Sequence, residues 1–229
     1  MINHIAFIMD GNRRWAKKQG LLPFLGHNKG AQTIQHVIEF CLKNKIKYSS
    51  LYTFSLENFS RSVQEVTYLF DLLIAEAHKK LPVFLEHNIR VRFIGDRSLF
   101  PAQIMTVAQD MEEKTVDCSA LNLNFLFCYG ARQEIMAAVK MCVEEVKKGL
   151  IALEDITDEL FKKYLWTGDI PDPELIIRTS GFKRLSNFLL YQAAYSEFCF
   201  LDCLWPDITQ EHMQHALDNY LETKRNFGH

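Results

Sequence analysis

The stretch His4-Ile5-Ala6-Phe7-Ile8-Met9-Asp10-Gly11-Asn12-Arg13-Arg14-Trp15-Ala16 decides how the rest of the chain is read. Ile5 to Met9 is a short unbroken apolar run, as in a strand buried on both faces. It breaks into Asp-Gly-Asn, residues that leave a strand through a tight turn. Two arginines follow at once. A carboxylate, a glycine that permits close backbone approach, an amide and two guanidinium groups thus stand at the carboxyl end of a buried strand. Open α/β sheets place their ligands there. The carboxylate suits Mg²⁺, and the arginines and free N–H groups suit phosphate oxygens. An ordinary strand-turn-helix junction would explain a solvated Asp–Arg pair. It would not explain Gly-Asn-Arg-Arg, which adds nothing to a core.

Outward from this stretch, helical and strand patterns alternate. Lys29 to Lys43 carries a helical stripe of Ile34, Val37, Ile38, Cys41 and Leu42. Tyr48 to Phe54 reads as a second strand. Ser62 to Lys80 predicts a long helix whose apolar surface, broadened by Tyr68 and Leu72, exceeds a normal stripe. Pro82 is expected to kink or end it, although apolar residues continue through Leu85. Arg90–Ile94, Leu121–Tyr129, Leu175–Ile177 and Phe198–Leu201 read as four more strands. Helices are expected over Pro101–Asp117, Arg132–Lys148, Thr157–Tyr164 and from Thr209 to Thr223 or beyond. The alternation predicts a single α/β domain, residues 1–229, with a central, largely parallel six-stranded sheet flanked by helices. Gly168 to Pro173 reads as a rigid surface loop within it.

The totals narrow the function. A chain of 229 residues with 48% hydrophobic and 24% charged residues fits a soluble globular protein with a substantial core. A net charge of −2 gives no global basic field, so no nucleic-acid partner is expected and any anion site is local. The six cysteines are scattered through apolar runs, as reduced buried thiols are in a cytoplasmic protein. Cys199 and Cys203 lack a second metal-like pair. The chain begins on its first strand, which predicts no signal peptide, and no apolar run reaches the length of a membrane span.

Three turns bear arginines at the carboxyl ends of predicted strands: Arg13 and Arg14, then Arg61, then Arg178 with Arg184. Parallel strands bring such turns to one rim. Converging guanidinium groups suit a diphosphate, which they bind bidentately. Surface salt bridges would account for one such arginine but not for the set. Asn58 lies directly after the second strand, where a turn former or helix cap is also expected. His27 sits between Gly26 and Asn28 at a helix start, where donors face anions, although a lone histidine is more often structural. His212 and His215 share one helix face without a third ligand and read as surface residues. Glu197 enters an apolar strand, an expensive place for a carboxylate without a partner.

Several blocks together carry a family resemblance. The opening stretch, Tyr52-Thr53-Phe54-Ser55-Leu56-Glu57-Asn58-Phe59-Ser60-Arg61, Ile94-Gly95-Asp96, Ile177-Arg178-Thr179-Ser180-Gly181, Arg184-Leu185-Ser186-Asn187-Phe188-Leu189-Leu190 and Leu204-Trp205-Pro206-Asp207 occur in order across nearly the whole chain. Together they resemble the cis-prenyltransferases, the undecaprenyl and dehydrodolichyl diphosphate synthases. The resemblance implies an undecaprenyl diphosphate synthase-like fold with a hydrophobic tunnel. It implies repeated condensation of isopentenyl diphosphate onto an allylic primer, farnesyl diphosphate, with new Z double bonds. It further implies Mg²⁺ on Asp10 and Glu197, and catalytic roles for Asp10 and Asn58. A neutral amide is a poor base, so Asn58 is expected to orient a water or a diphosphate oxygen. Substrate contacts are implied at Gly11, Asn12, Arg13, Arg14, Trp15, His27, Ser55, Leu56, Glu57, Phe59, Arg61, Arg178, Arg184, Leu185 and Ser186.

The chain also departs from the family pattern. Arg13 stands where bacterial members commonly have Gly, and Pro23 where many carry a phosphate-facing Arg. Phe182 replaces a usual Glu, Phe59 a common Trp, and Cys128 an Asn. Arg225-Asn226-Phe227-Gly228 resembles a C-terminal block that reaches into a neighbouring subunit's site, with its arginine one place early. The resemblance therefore implies a homodimer. It also implies peripheral contact of a cytoplasmic enzyme with the inner membrane surface. Undecaprenyl diphosphate, the lipid carrier precursor for cell-wall synthesis, is the expected product. A shorter or longer dehydrodolichyl-type product and a non-catalytic partner subunit are the alternatives. Intact Asp10, Asn58 and Arg178 argue against the partner subunit, and the absence of an Asp-Asp pair argues against an all-helical trans-prenyltransferase.

Overall fold

The computed structural model describes residues 2–223. Its centre is a sheet of β1 (His4–Ile8), β2 (Tyr48–Ser55), β3 (Ile89–Ile94), β4 (Leu121–Tyr129), β5 (Leu175–Arg178) and β6 (Glu197–Phe200). The order is β3-β4-β2-β1-β5-β6, and every neighbouring pair is parallel. All five residues of β1 are buried, as a central strand covered on both faces requires. The chain passes from β1 through β2 to one side and fills the other side with β5 and β6. The boundary between β1 and β5 is thus where the winding reverses, and ligands sit at the carboxyl ends of strands there.

Among the described residues seven helices flank the sheet: α1 (Asn12–Lys18), α2 (Gly26–Lys43), α3 (Val63–Glu86), α4 (Ala102–Lys114), α5 (Ala131–Lys147), α6 (Asp158–Tyr164) and α7 (Gln210–Glu222). One large apolar cluster lies between the sheet and α2, α3, α4 and α7, and a smaller one lies on the opposite face. The α/β reading therefore holds, with element ends moved by one to three residues in most cases. The short α1 buries only Ala16 fully and has no sequence period of its own.

Pro82 does not end α3. The helix runs on to Glu86, because Phe84 is 1% exposed and fastens the last turns to the core. Proline in a helix interior costs roughly 3 kcal/mol, and burying a phenylalanine returns a similar amount. The ends of α3 agree with its local chemistry. Ser62 caps it by accepting from the Glu65 N–H.

Candidate active site

The turn after β1 is built by Gly11, whose φ of +114° favours glycine. A side chain there would also strike Leu204 at 2.9 Å. This geometry turns the chain into α1 and leaves Asp10 at the sheet's rim. Its backbone carbonyl accepts from Thr179 Oγ1 at 2.6 Å and from the Trp205 N–H at 3.0 Å. Its carboxylate is held by two arginines. Oδ2 accepts from Arg178 Nη2 at 2.7 Å, and Oδ1 accepts from Arg14 Nη2 at 3.1 Å. Burial raises its pKa, but hydrogen bonds from Arg178 and Ser180 and the two positive charges outweigh that and hold it below the usual carboxylate value.

Arg178 is 3% exposed and reaches Ser186 Oγ at 2.8 Å with its other terminal nitrogen. Arg14 also donates to the Ser180 carbonyl. Phe182 explains its own departure from the family pattern. Its ring lies 4.7 Å from the Arg14 guanidinium and 4.3 Å from that of Arg184, so an aromatic face serves both cations where a carboxylate is usual. Arg13 and Arg61 share the buried Glu65, at 3.6 and 3.1 Å. His27 is largely buried, and its Nε2 has no hydrogen-bond partner. Burial, then the charges of Arg61 and Arg13, lower its pKa to about 3. The ring is therefore neutral at physiological pH.

Three cavities share Met9 and Arg61 in their walls. A basic one is lined by Asp10, Gly11, Asn12, Arg13, Arg14, His27, Arg61 and Arg184. A second holds Asp10, Ser55, Glu57, Asn58, Arg178, Leu185 and Ser186. The third is an apolar space of about 180 Å³ running from His27 and Asn58 along α3 to Ala77 and Phe84. Asn58 is held in the turn after β2 and faces two of the cavities. Its Oδ1 accepts the Ser55 N–H at 3.1 Å and shapes the turn, and the residue still lines two cavities.

Three expected contacts lie off these walls. Trp15 donates to Asp207 at 2.8 Å, Leu56 packs on the core, and Phe59 packs on Phe54 and Phe70. Glu197 is not brought to Asp10 within this chain. It pairs with Leu175 at the start of β5, whereas Arg178 pairs with Phe200. Three residues of strand, about 10 Å, separate those levels, so within this chain Glu197 lies toward the rim opposite Asp10. The Arg225–Gly228 block lies outside the described residues. Sequence reasoning missed Lys17, Glu65, Arg132, Gln133 and Asn187. Lys17 follows Arg13 and Arg14 by one helical turn, and Asn187 lies inside a block already singled out.

Among the described residues no cluster of three or more His, Cys, Asp or Glu side chains could hold a metal ion. Asp10 alone still fits Mg²⁺, which takes one or two carboxylates and completes its oxygen shell with substrate phosphates and water.

The comparisons agree with this geometry. Residues 8–228 match the family model described as putative undecaprenyl diphosphate synthase. The isoprenyl transferase of Bacillus subtilis is 43% identical over 98% of this chain and 86% of its own length. That of Thermotoga maritima is 41% identical over 98% and 96%. Lavandulyl diphosphate synthase from Lavandula x intermedia, solved in complex with dimethylallyl diphosphate, superposes with a TM-score of 0.96 at 30% identity over 100% of this chain and 98% of that one. A probable undecaprenyl diphosphate synthase from Campylobacter jejuni gives 0.82 at 33% identity, over 100% and 99%. The chain belongs to the undecaprenyl diphosphate synthase family of isoprenyl transferases and is a prenyl-transferring enzyme.

Proposed function

We propose that this enzyme condenses isopentenyl diphosphate successively onto an allylic diphosphate, farnesyl diphosphate being the primer, with new Z double bonds. The observation that carries this reading is the position of Asp10. It stands between Arg14 and Arg178 on the walls of the basic cavity and of the second polar one, beside Met9, which the apolar cavity also reaches.

The basic cavity takes the allylic diphosphate, held by Arg13, Arg14 and Arg184, with neutral His27 available as a donor. These groups stabilise the charge that develops on the departing diphosphate. Asp10 would hold Mg²⁺, which when bound would supply Lewis-acid stabilisation of the same charge. The second cavity takes isopentenyl diphosphate on Arg178 and Ser186, which fixes its double bond toward the allylic carbon. Asn58, on the walls of the second cavity and of the apolar one, orients a water or a diphosphate oxygen.

The apolar cavity receives the hydrocarbon. The carrier-lipid role in cell-wall synthesis belongs to a product of undecaprenyl length. A cavity of about 180 Å³ favours a shorter chain until its walls move apart. The edge strand β6, with Tyr195 and Phe198 exposed beside it, supports homodimer formation. No helix among the described residues is long and apolar enough to cross a membrane. On this reading the product leaves by peripheral contact of a cytoplasmic enzyme with the inner membrane surface.

Incorporation of radiolabelled isopentenyl diphosphate, with and without farnesyl diphosphate and Mg²⁺, tests the reading. Labelled prenyl products requiring both support it, and none with any allylic primer rejects it.

A further inference from the structure

The segment joining β5 to β6 folds back over the carboxyl ends of the strands in a conformation most side chains avoid. Ser186, Asn187 and Leu189 hold φ values of +52°, +63° and +42°. Asparagine tolerates this left-handed region better than most residues, and such backbone persists only where its surroundings fix it. Here Asn187 supplies most of the fixing. Its backbone carbonyl accepts the Ala131 N–H at 2.8 Å, and its Oδ1 accepts the Arg132 N–H at 2.9 Å, so it satisfies two free donors at the start of α5. Its Nδ2 donates to Glu57 Oε1 at 2.9 Å and to Gln133 Oε1 at 3.1 Å. One side chain therefore joins the turns that follow β2, β4 and β5. Gly130 leaves room for it, since a Cβ there would lie 2.7 Å from Nδ2.

The neighbouring residue is Ser186, whose Oγ accepts from Arg178, and Arg178 in turn holds Asp10. Asn187 also lines the cavity that these residues share. We infer that Asn187 is a positioning residue for the homoallylic diphosphate. It sets Ser186, and through Ser186 the guanidinium of Arg178, at a fixed place relative to the Glu57–Asn58 turn. The inference rests on reading that cavity as the isopentenyl diphosphate site. Few side chains could substitute. The position needs left-handed backbone, an acceptor aimed at α5 and a donor aimed at Glu57, and the asparagine amide meets all three.

Asn187→Asp tests this in the full-length enzyme. The change keeps size and the Oδ1 acceptor, removes the donor and sets a second carboxylate against Glu57. KM for isopentenyl diphosphate should rise about tenfold or more, the scale of a misplaced binding group. KM for farnesyl diphosphate should stay within about twofold. The melting temperature should fall by no more than about 4 °C. Adding Glu57→Gln restores a donor–acceptor pair of reversed polarity and should recover much of the lost affinity. Gly130→Ala, which displaces Nδ2 without altering Asn187, should give the same split and serves if Asn187→Asp folds poorly.

An unchanged KM for isopentenyl diphosphate overturns the inference. So does an equal rise for both substrates, or a defect that Glu57→Gln leaves in place. A wild-type enzyme that incorporates no isopentenyl diphosphate defeats the proposed function instead. Calorimetric titration of isopentenyl diphosphate then reads the inference alone. Binding about tenfold weaker in Asn187→Asp supports it; equal binding, or none by the wild type, overturns it.

Discussion

Asp10 and Arg178 form an ion pair of 2.7 Å across the boundary between β1 and β5, where the winding of the sheet reverses. The pair joins the first strand of the chain to its fifth. Arg178 is nearly closed to solvent, whereas Asp10 keeps a face toward two cavities. The carboxylate therefore serves the fold through one oxygen, while the other accepts from Arg14.

Asp10→Asn keeps the shape of this pair and removes its charge. Incorporation of isopentenyl diphosphate at saturating Mg²⁺ is expected to fall by roughly a hundredfold or more. The loss of a hydrogen bond between charged groups should lower stability by about 1–2 kcal/mol, so the protein remains folded. Turnover within severalfold of the wild type would show that Asp10 is not the metal-holding carboxylate.

Phe182 between Arg14 and Arg184 makes a second prediction. Phe182→Leu removes both cation–π contacts, each about 0.5–1 kcal/mol at an exposed site, and should raise KM for the allylic diphosphate severalfold. Phe182→Glu supplies a carboxylate to the same two arginines and should restore it. Equal KM values for the wild type and Phe182→Leu would show that the ring does not order these cations.

Stability should depend on pH through His4. The ring is buried between the Pro171 carbonyl, at 2.6 Å, and Ser50 Oγ, at 2.9 Å. Burial lowers its pKa from 6.5 to about 4 despite the backbone hydrogen bond. The folded state thus binds fewer protons than the unfolded chain between these values. The contribution is complete above 6.5 and is lost as pH falls toward 4, reaching roughly 3 kcal/mol below that. His27, lowered by the same cause, adds to the loss in the same direction. Denaturant titrations at pH 7.5 and 5 check this. His4→Asn should flatten part of the slope, and an unchanged slope would remove His4 as its source.

The order of strands and helices was legible because strands end at or beside a composition break: Met9 to Asp10 after β1, Ser55 to Glu57 after β2, Ile94 to Gly95 after β3 and Ile177 to Arg178 at the last residue of β5. Those breaks also located most of the arginines. Contacts between turns were not legible. Nothing in the order of residues says that Asn187 meets Glu57, 130 positions away, or that Arg13 and Arg61 share Glu65. Glu197 shows the same limit from the other side. A carboxylate entering an apolar strand looked functional, but strand register, which residue identity alone does not specify, placed it toward the far end of the sheet.

The last prediction concerns where chain growth stops. The α3 stripe facing the apolar cavity begins with Leu69, Leu72 and Leu73 and then turns ionic at Glu76 and Lys80. These two lie 3.7 Å apart, about 21 Å or more along the helix from its Ser62 cap. A hydrocarbon tail that reaches them meets charges it cannot solvate, and separating or burying such a pair is unfavourable. Ala77, 7% exposed, lines the same level. Ala77→Leu should therefore yield shorter prenyl diphosphates with the first condensations little changed, while Glu76→Leu combined with Lys80→Leu should yield longer ones. If Ala77 only packs against the sheet, Ala77→Leu instead overfills a core. It then costs roughly 1–3 kcal/mol with no change in product length. Chromatography of the dephosphorylated products beside thermal melts separates the two. A lowered melting temperature with unchanged chain length in both variants would show that growth ends elsewhere.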